Sequence, residues 1–172
     1  MVLDRKNKYG GYLKVDEITR KTKSGHEVKQ EVMVRKNAVA ALVYDTEKQK
    51  YIFVSQWRVG SMGDIIEIPA GTLDHPGENP RDAMIREIEE EVGYKVDKIT
   101  LIDECFMSPG GSSELISIYF CQVSEKIGEG GGLEEEHEEI DVIEMTSSEM
   151  TQTRFRDAKT IIAVNWAKYN HK

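Results

Sequence analysis

A chain of 172 residues, 39% hydrophobic and 31% charged, has the composition of one ordinary soluble domain with enough length to bury a core. Its net charge of −8 argues against general nucleic-acid binding, although a divalent cation can still bring phosphates to an acidic surface. Two cysteines, a polar N-terminus and no apolar run near the ~20 residues of a membrane span argue against a disulfide framework, a signal peptide and a membrane protein, leaving a cytoplasmic enzyme as the expectation. In chain order, residues 1–35 are polar, with weak strand patterns at Gly11–Ile18 and His26–Val34 around a Lys23-Ser24-Gly25 turn. So small a piece needs a larger body or a second subunit to pack against. The main domain starts near Asn37. Strands are expected at Ala38–Tyr44, Tyr51–Ser55 and Ile65–Pro69, followed by a loop with Pro76-Gly77 at its tip. Asn79 suits an N-cap, Pro80 the first helical position and Gly93 the C-terminal stop, which marks a helix between them. Further strands are expected at Ile99–Met107, Leu115–Val123 and Asp141–Met145. A Gly-rich stretch, Gly128–Gly132, leads into the acidic run 134–141, and a last helix covers Asp157–Lys168. Interspersed strands and helices imply an α/β or α+β domain. Cys105 and Cys121 lie in strand-like apolar contexts and are expected to be buried.

On the helix from Pro80, Met84, Ile85, Ile88 and Val92 form one apolar stripe at 3.6 residues per turn. Glu87 and Glu91, four apart, stack on adjacent turns beside it; Glu90 is one step further round, and Glu89 points to solvent. Like charges at this spacing repel unless a cation lies between them, and carboxylate oxygens are the ligands Mg²⁺ takes. Taken alone, the pattern is also that of a plain charged helix face.

The wider segment reads Gly71-TLDHPG-Glu78-NPRDAMI-Arg86-Glu87-Ile88-Glu89-Glu90-Glu91-Val92-Gly93-Tyr94. It resembles the signature of the Nudix hydrolase family, G-x5-E-x7-REUxEExGU with U aliphatic. Every fixed position from Glu78 to Gly93 matches. One extra residue between Gly71 and Glu78 falls in the His75-Pro76-Gly77 turn, where a loop can absorb it, and Tyr94 stands at the last aliphatic position. The resemblance implies an α/β/α sandwich with a mixed sheet, plus a small N-terminal β segment. It implies Glu87 and Glu91 as metal ligands, Glu90 as a further ligand or catalytic group, Arg86 as the group that holds these carboxylates, Glu78 as a support of the loop, and the Ala70 carbonyl as one more ligand. The cofactor would be Mg²⁺, with Mn²⁺ as a substitute.

Flanking residues resemble the branch of the family that contains ADP-ribose pyrophosphatases and GDP-mannose hydrolases: Glu67–Gly71, Ser108–Glu114, Gly130–Glu134 and Arg156–Thr160. That branch implies a nucleotide-sugar substrate and a homodimer, with residues 1–36 as a strand-rich dimerisation segment and 37–172 as the hydrolase domain. It also implies a glutamate from the acidic run as general base or metal ligand. Glu138 aligns best, with Glu136 next and Glu139 third. Arg58, after Gln56-Trp57 at a strand end, is expected to bind substrate phosphate, since an arginine fork matches phosphate geometry. Glu114 is expected to meet the terminal sugar, and Gly110 and Gly111 to let the backbone approach the ligand. Trp57 is expected in the core, with stacking on a base as the alternative, and Trp166 is expected to serve packing. The four histidines are scattered and carry no zinc-like spacing or catalytic role.

The expected reaction is hydrolysis of ADP-ribose to AMP and ribose 5-phosphate, or of GDP-mannose to GMP and mannose 1-phosphate, with ADP-ribose slightly ahead. The alternatives are a hydrolase of other nucleotides such as dinucleoside polyphosphates, against which the Ser108–Glu114 loop argues, and a non-catalytic ADP-ribose sensor, against which the intact Glu87, Glu90 and Glu91 argue. Neither nucleic acid nor membrane is an expected partner.

Overall fold

A computed structural model describes residues 1–75, 77–132 and 139–171. The chain divides into two compact units, Met1–Asn37 with Cys105–Ile116, and Ala38–Glu104 with Ser117–Lys172.

In the first unit, β1 (Val2–Gly10), β2 (Lys14–Lys21) and β3 (Glu27–Val34) form an antiparallel three-stranded sheet. Strand β1 is exposed along its whole length, which is why its polar sequence carries no period-2 apolar signal. Asp16 of β2 is buried and accepts from Arg5 Nε at 2.5 Å and Asn7 Nδ2 at 3.1 Å; the arginine bond, chiefly, holds its carboxyl below the usual carboxylate range.

The second unit is built on β4 (Ala38–Asp45), β5 (Lys50–Arg58), β6 (Gly63–Glu67), β7 (Ala70–Thr72), β8 (Tyr94–Phe106), β9 (Leu115–Lys126) and β10 (Ile140–Met145). The sheet runs β10-β5-β4-β9-β8, with β6 paired to β5 and β7 to β4. Helix α1 (Pro80–Val92) lies on one face: Val39, Ala41 and Val43 of β4 pack with its Ala83, Met84, Ile88 and Val92. The alternate β4 residues, Ala40 and Leu42, point to the other face, where α3 (Ala158–Asn170) packs and buries Ala163, Val164 and Ala167. Strand β4 is covered on both sides, so its run of apolar residues is continuous rather than alternating. This is the expected sandwich of helix, mixed sheet and helix.

Three elements differ from the sequence expectation. Strand β1 has no counterpart among the expected strands, and neither does the three-residue β7. Helix α2 (Ser147–Gln152) was also missed, although Thr146 and Glu149 form a reciprocal capping box that the T-x-x-E spacing encodes. Two burial expectations fail. Trp57, next to last in β5 and beyond the buried run Tyr51–Val54, is 54% exposed, and Cys105 is only half-buried, whereas Cys121 is fully buried. Trp166 packs on Phe120 with ring centroids 5.2 Å apart.

Candidate active site

Helix α1 is fixed at both ends. Asn79 Oδ1 accepts from the Arg81 amide at 2.9 Å, and Pro80 presets the first turn. Gly93 ends the helix at φ +74°, its amide bonded to the Ile88 carbonyl at 3.1 Å. The glycine-rich stretch then folds back over that end. Gly131 N–H donates to the Glu91 carbonyl at 2.8 Å and Gly132 N–H to the Glu90 carbonyl at 3.3 Å, while the Gly93 carbonyl takes the amides of Ile127 and Gly128. These glycines therefore satisfy carbonyls that a helix end leaves open, on the residues that carry the acidic side chains.

Arg86 sits among four carboxylates. Its Nη1 is 2.8 Å from Glu87 Oε1 and 3.0 Å from Glu90 Oε2; its Nη2 is 3.5 Å from Asp74 Oδ2 and 3.6 Å from Glu78 Oε1. Glu78 accepts from the amides of Asp74 (2.7 Å) and His75 (3.4 Å), which hold its carboxyl below the usual carboxylate range and shape the loop before the helix. Glu91 is buried and accepts from the Ala70 amide at 3.0 Å, so the short strand β7 is tied to the helix. Glu87 is buried too, and desolvation pushes its carboxyl up to about 7 despite the neighbouring guanidinium. Gly71 runs so close to the Glu87 carboxylate that a Cβ there would overlap it. Glu89 is exposed, as expected.

Among the described residues, no three acidic, histidine or cysteine side chains already converge as an ion cage, because Arg86 lies between Glu87 and Glu90. The donor set nevertheless fits a hard divalent cation. Every side chain offered is a carboxylate, two of them are buried, and a single guanidinium faces four acids. A buried carboxyl held near 7 is a group that a cation would return to its charged form.

Arg58 ends β5 and donates from Nε to Glu67 Oε1 at 2.6 Å. Gly110, Gly111 and Glu114 belong to the first unit. There Met33 N–H donates to the Gly111 carbonyl at 2.8 Å, Ser113 N–H donates to the Met33 carbonyl at 3.0 Å, and Glu114 pairs with Arg35 at 3.4 Å. A Cβ on Gly110 or Gly111 would meet nothing within 4 Å, so neither glycine is required by packing. Of the candidate bases, Glu138 and Glu136 lie outside the described residues; Glu139 is described and exposed. Glu67, Lys159 and Asp157, to which the sequence pattern pointed in no role, form a network around Arg58 in which Glu67 and Lys159 are buried and Asp157 is half-buried. The signal available was a glutamate at the inward end of a strand and a lysine in the first turn of a helix, both unusual places for a charge.

The NUDIX domain profile matches residues 34–163. The chain belongs to the Nudix family. Within it, the chain is 34% identical over 167 residues to the GDP-mannose pyrophosphatase of Escherichia coli strain K12, covering 90% of this chain and 85% of that protein, and it is equally similar to the enzyme of Shigella flexneri. The solved structure of an ADP compounds hydrolase superposes with a TM-score of 0.80 at 20% identity, over 98% of this chain and 92% of that one, and supports the Nudix fold. Nudix hydrolases generally use a divalent metal, which agrees with the all-carboxylate donor set on α1. No helix among the described residues is long and apolar enough to cross a membrane.

Proposed function

We propose that this Nudix protein is a Mg²⁺-dependent pyrophosphohydrolase of nucleoside diphosphate sugars, with GDP-mannose ahead of ADP-ribose. The observation that carries it is the pair of buried carboxylates, Glu87 and Glu91, on adjacent turns beside Arg86, in a chain that matches GDP-mannose pyrophosphatases along 90% of its length. The sequence motifs put ADP-ribose slightly first; the similarity to GDP-mannose pyrophosphatases supports placing GDP-mannose ahead.

Glu87, Glu90, Glu91, Glu138 and the Ala70 carbonyl would hold the metal, which offsets phosphate charge and acidifies bound water when present. Mn²⁺ is a substitute with the same taste for oxygen. Glu138 takes the proton of the attacking water. The water oxygen bonds to one phosphorus of the diphosphate, the bridging P–O bond breaks, and GMP and mannose 1-phosphate leave. Arg86 keeps the carboxylates of α1 in register, and Arg58 binds a phosphate through its fork. Glu114 accepts hydrogen bonds from the sugar hydroxyls, and Gly110 and Gly111 leave room for the ligand. The exposed Val2, Leu3 and Tyr9 of β1, with Tyr12 and Leu13 in the bend that follows it, support a homodimer, and the enzyme is read as cytoplasmic.

A hydrolysis screen of GDP-mannose, ADP-ribose, other nucleotide sugars and diadenosine polyphosphates with Mg²⁺ tests the reading. The highest kcat/KM should fall on a nucleotide sugar and vanish with EDTA. Preference for a dinucleoside polyphosphate, or binding of ADP-ribose without turnover, would overturn it. Light scattering on the purified protein tests the dimer.

A further inference from the structure

Arg58 is held in an unusual way. Its Nε is bonded to Glu67 Oε1 at 2.6 Å, and among the described residues its two terminal nitrogens have no protein partner. The side chain is 42% exposed, whereas that of Glu67 is 4% exposed, so the guanidinium emerges from a buried anchor. The other Glu67 oxygen accepts from Lys159 Nζ, which is itself buried and lies 3.1 Å from Asp157 Oδ2. The same Asp157 oxygen accepts from the Thr160 amide (3.0 Å) and hydroxyl (2.6 Å), and the Thr160 hydroxyl accepts from the Ile68 amide at 2.9 Å.

Stability is a poor explanation for this network. A lysine in the first turn of α3 opposes the helix dipole, and buried ion pairs commonly cost as much in lost hydration as they return. The charges make better sense as a support. Asp157 is already compensated by the helix N-terminus, so Lys159 is left to offset Glu67. Glu67 then grips Arg58 without cancelling its whole charge. The segment that follows Glu67 is fixed as well: Thr160 holds Ile68, the Pro69 carbonyl takes the Ala41 amide at 3.0 Å, and the Ala70 amide reaches Glu91. The anchor of Arg58 and the carboxylate of Glu91 are therefore referred to one stretch of four residues.

The geometry points to Glu67 and Lys159 as positioning residues for Arg58: Lys159 orients Glu67, and Glu67 clamps the guanidinium by Nε so that its two terminal nitrogens take a substrate phosphate. This rests on the reading above that Arg58 binds phosphate.

The test is a double-mutant cycle on the full-length enzyme with Mg²⁺, using GDP-mannose and ADP-ribose as probes. Arg58→Ala should raise KM by roughly tenfold or more, the loss of a charge-assisted contact, with a smaller change in kcat. Lys159→Met should raise KM by a similar factor. In the Arg58→Ala background, Lys159→Met should change kcat/KM by less than about twofold, because its effect passes through the missing arginine. The side-chain Nε–H resonance of Arg58, identified by its loss in Arg58→Lys, should stand apart from the bulk arginines in the wild type and move into them in Lys159→Met. Should Lys159→Met not fold, the paired change Glu67→Gln with Lys159→Gln removes both charges together and completes the same cycle. Multiplicative losses, or an unmoved Arg58 resonance, would overturn the positioning role while leaving Arg58 as a phosphate ligand. Wild-type turnover by Arg58→Ala would remove the phosphate role and this inference with it.

Discussion

The backbone of Gly71 lies directly against the carboxylate of Glu87, with no room between them for a single carbon. A glycine in a three-residue strand is thereby tied to an acid one turn before the end of the signature helix. Replacing it with alanine should push Glu87 off its position. Overpacking of this kind costs about 1–3 kcal/mol. The expected outcome for Gly71→Ala is a modest fall in Tm and a loss of Mg²⁺-dependent turnover of more than about tenfold, since misplaced catalytic groups are punished heavily. Wild-type kcat/KM in this variant would show that the Glu87 position is not used.

Glu87 also predicts a pH dependence. Its carboxyl is raised from 4.5 to about 7, chiefly by burial, so between these values the folded protein holds a proton that the unfolded chain has released. The contribution of Glu87 to stability is therefore full below 4.5 and is lost as pH rises through 7. Thermal melts in EDTA should show this decline between pH 5 and 8, and Glu87→Gln should flatten it. Added Mg²⁺ should raise Tm more at pH 8 than at pH 6, because a carboxylate must be deprotonated to bind metal.

Gly130 adopts φ +73°, and a Cβ there would come within 2.7 Å of the Glu91 carbonyl oxygen and 2.8 Å of Val92. Gly130→Ala should cost about 1–3 kcal/mol, from left-handed strain plus the clash. It should also lower kcat, since the amides of Gly131 and Gly132 that cap Glu91 and Glu90 move with it. Chemical denaturation and steady-state kinetics read the two effects separately.

Gly110 and Gly111 predict the opposite balance. Neither has a positive φ or a neighbour within 4 Å of the missing Cβ, so alanine should leave stability within about 0.5 kcal/mol. If the ligand approaches this backbone, KM for GDP-mannose should rise severalfold. An unchanged KM in both variants would leave these glycines as turn formers only.

The parts of this molecule that sequence made legible share a physical cause. Helix α1 announces itself because capping, apolar period and acid spacing all act within thirteen residues. Strands β4, β5 and β9 are legible because burial makes them continuously apolar. What was hidden depends on distant chain. Strand β1 carries no apolar face, and its evidence is pairing with β2 rather than its own composition. Trp57 reads as core by type, but it stands at the end of β5, beyond the strand's buried run. Glu67 and Lys159 are 92 residues apart, and nothing local to either one indicates the other. Arg86 was legible as an organiser of acids, but the contribution of Asp74 to its surroundings was not, because the loop that delivers it is shaped by Glu78.

That separation of 92 residues has a consequence for synthesis. A ribosome completes the whole signature, Gly71 to Gly93, long before it adds Asp157, Lys159 and Thr160. Until then Glu67 has no ammonium to meet it and the Ile68 amide has no hydroxyl to receive it. The nascent enzyme thus carries its recognisable motif early but acquires the support of Arg58 late, so a chain interrupted before α3 would retain the family hallmark and lack the ion-pair network that holds Arg58.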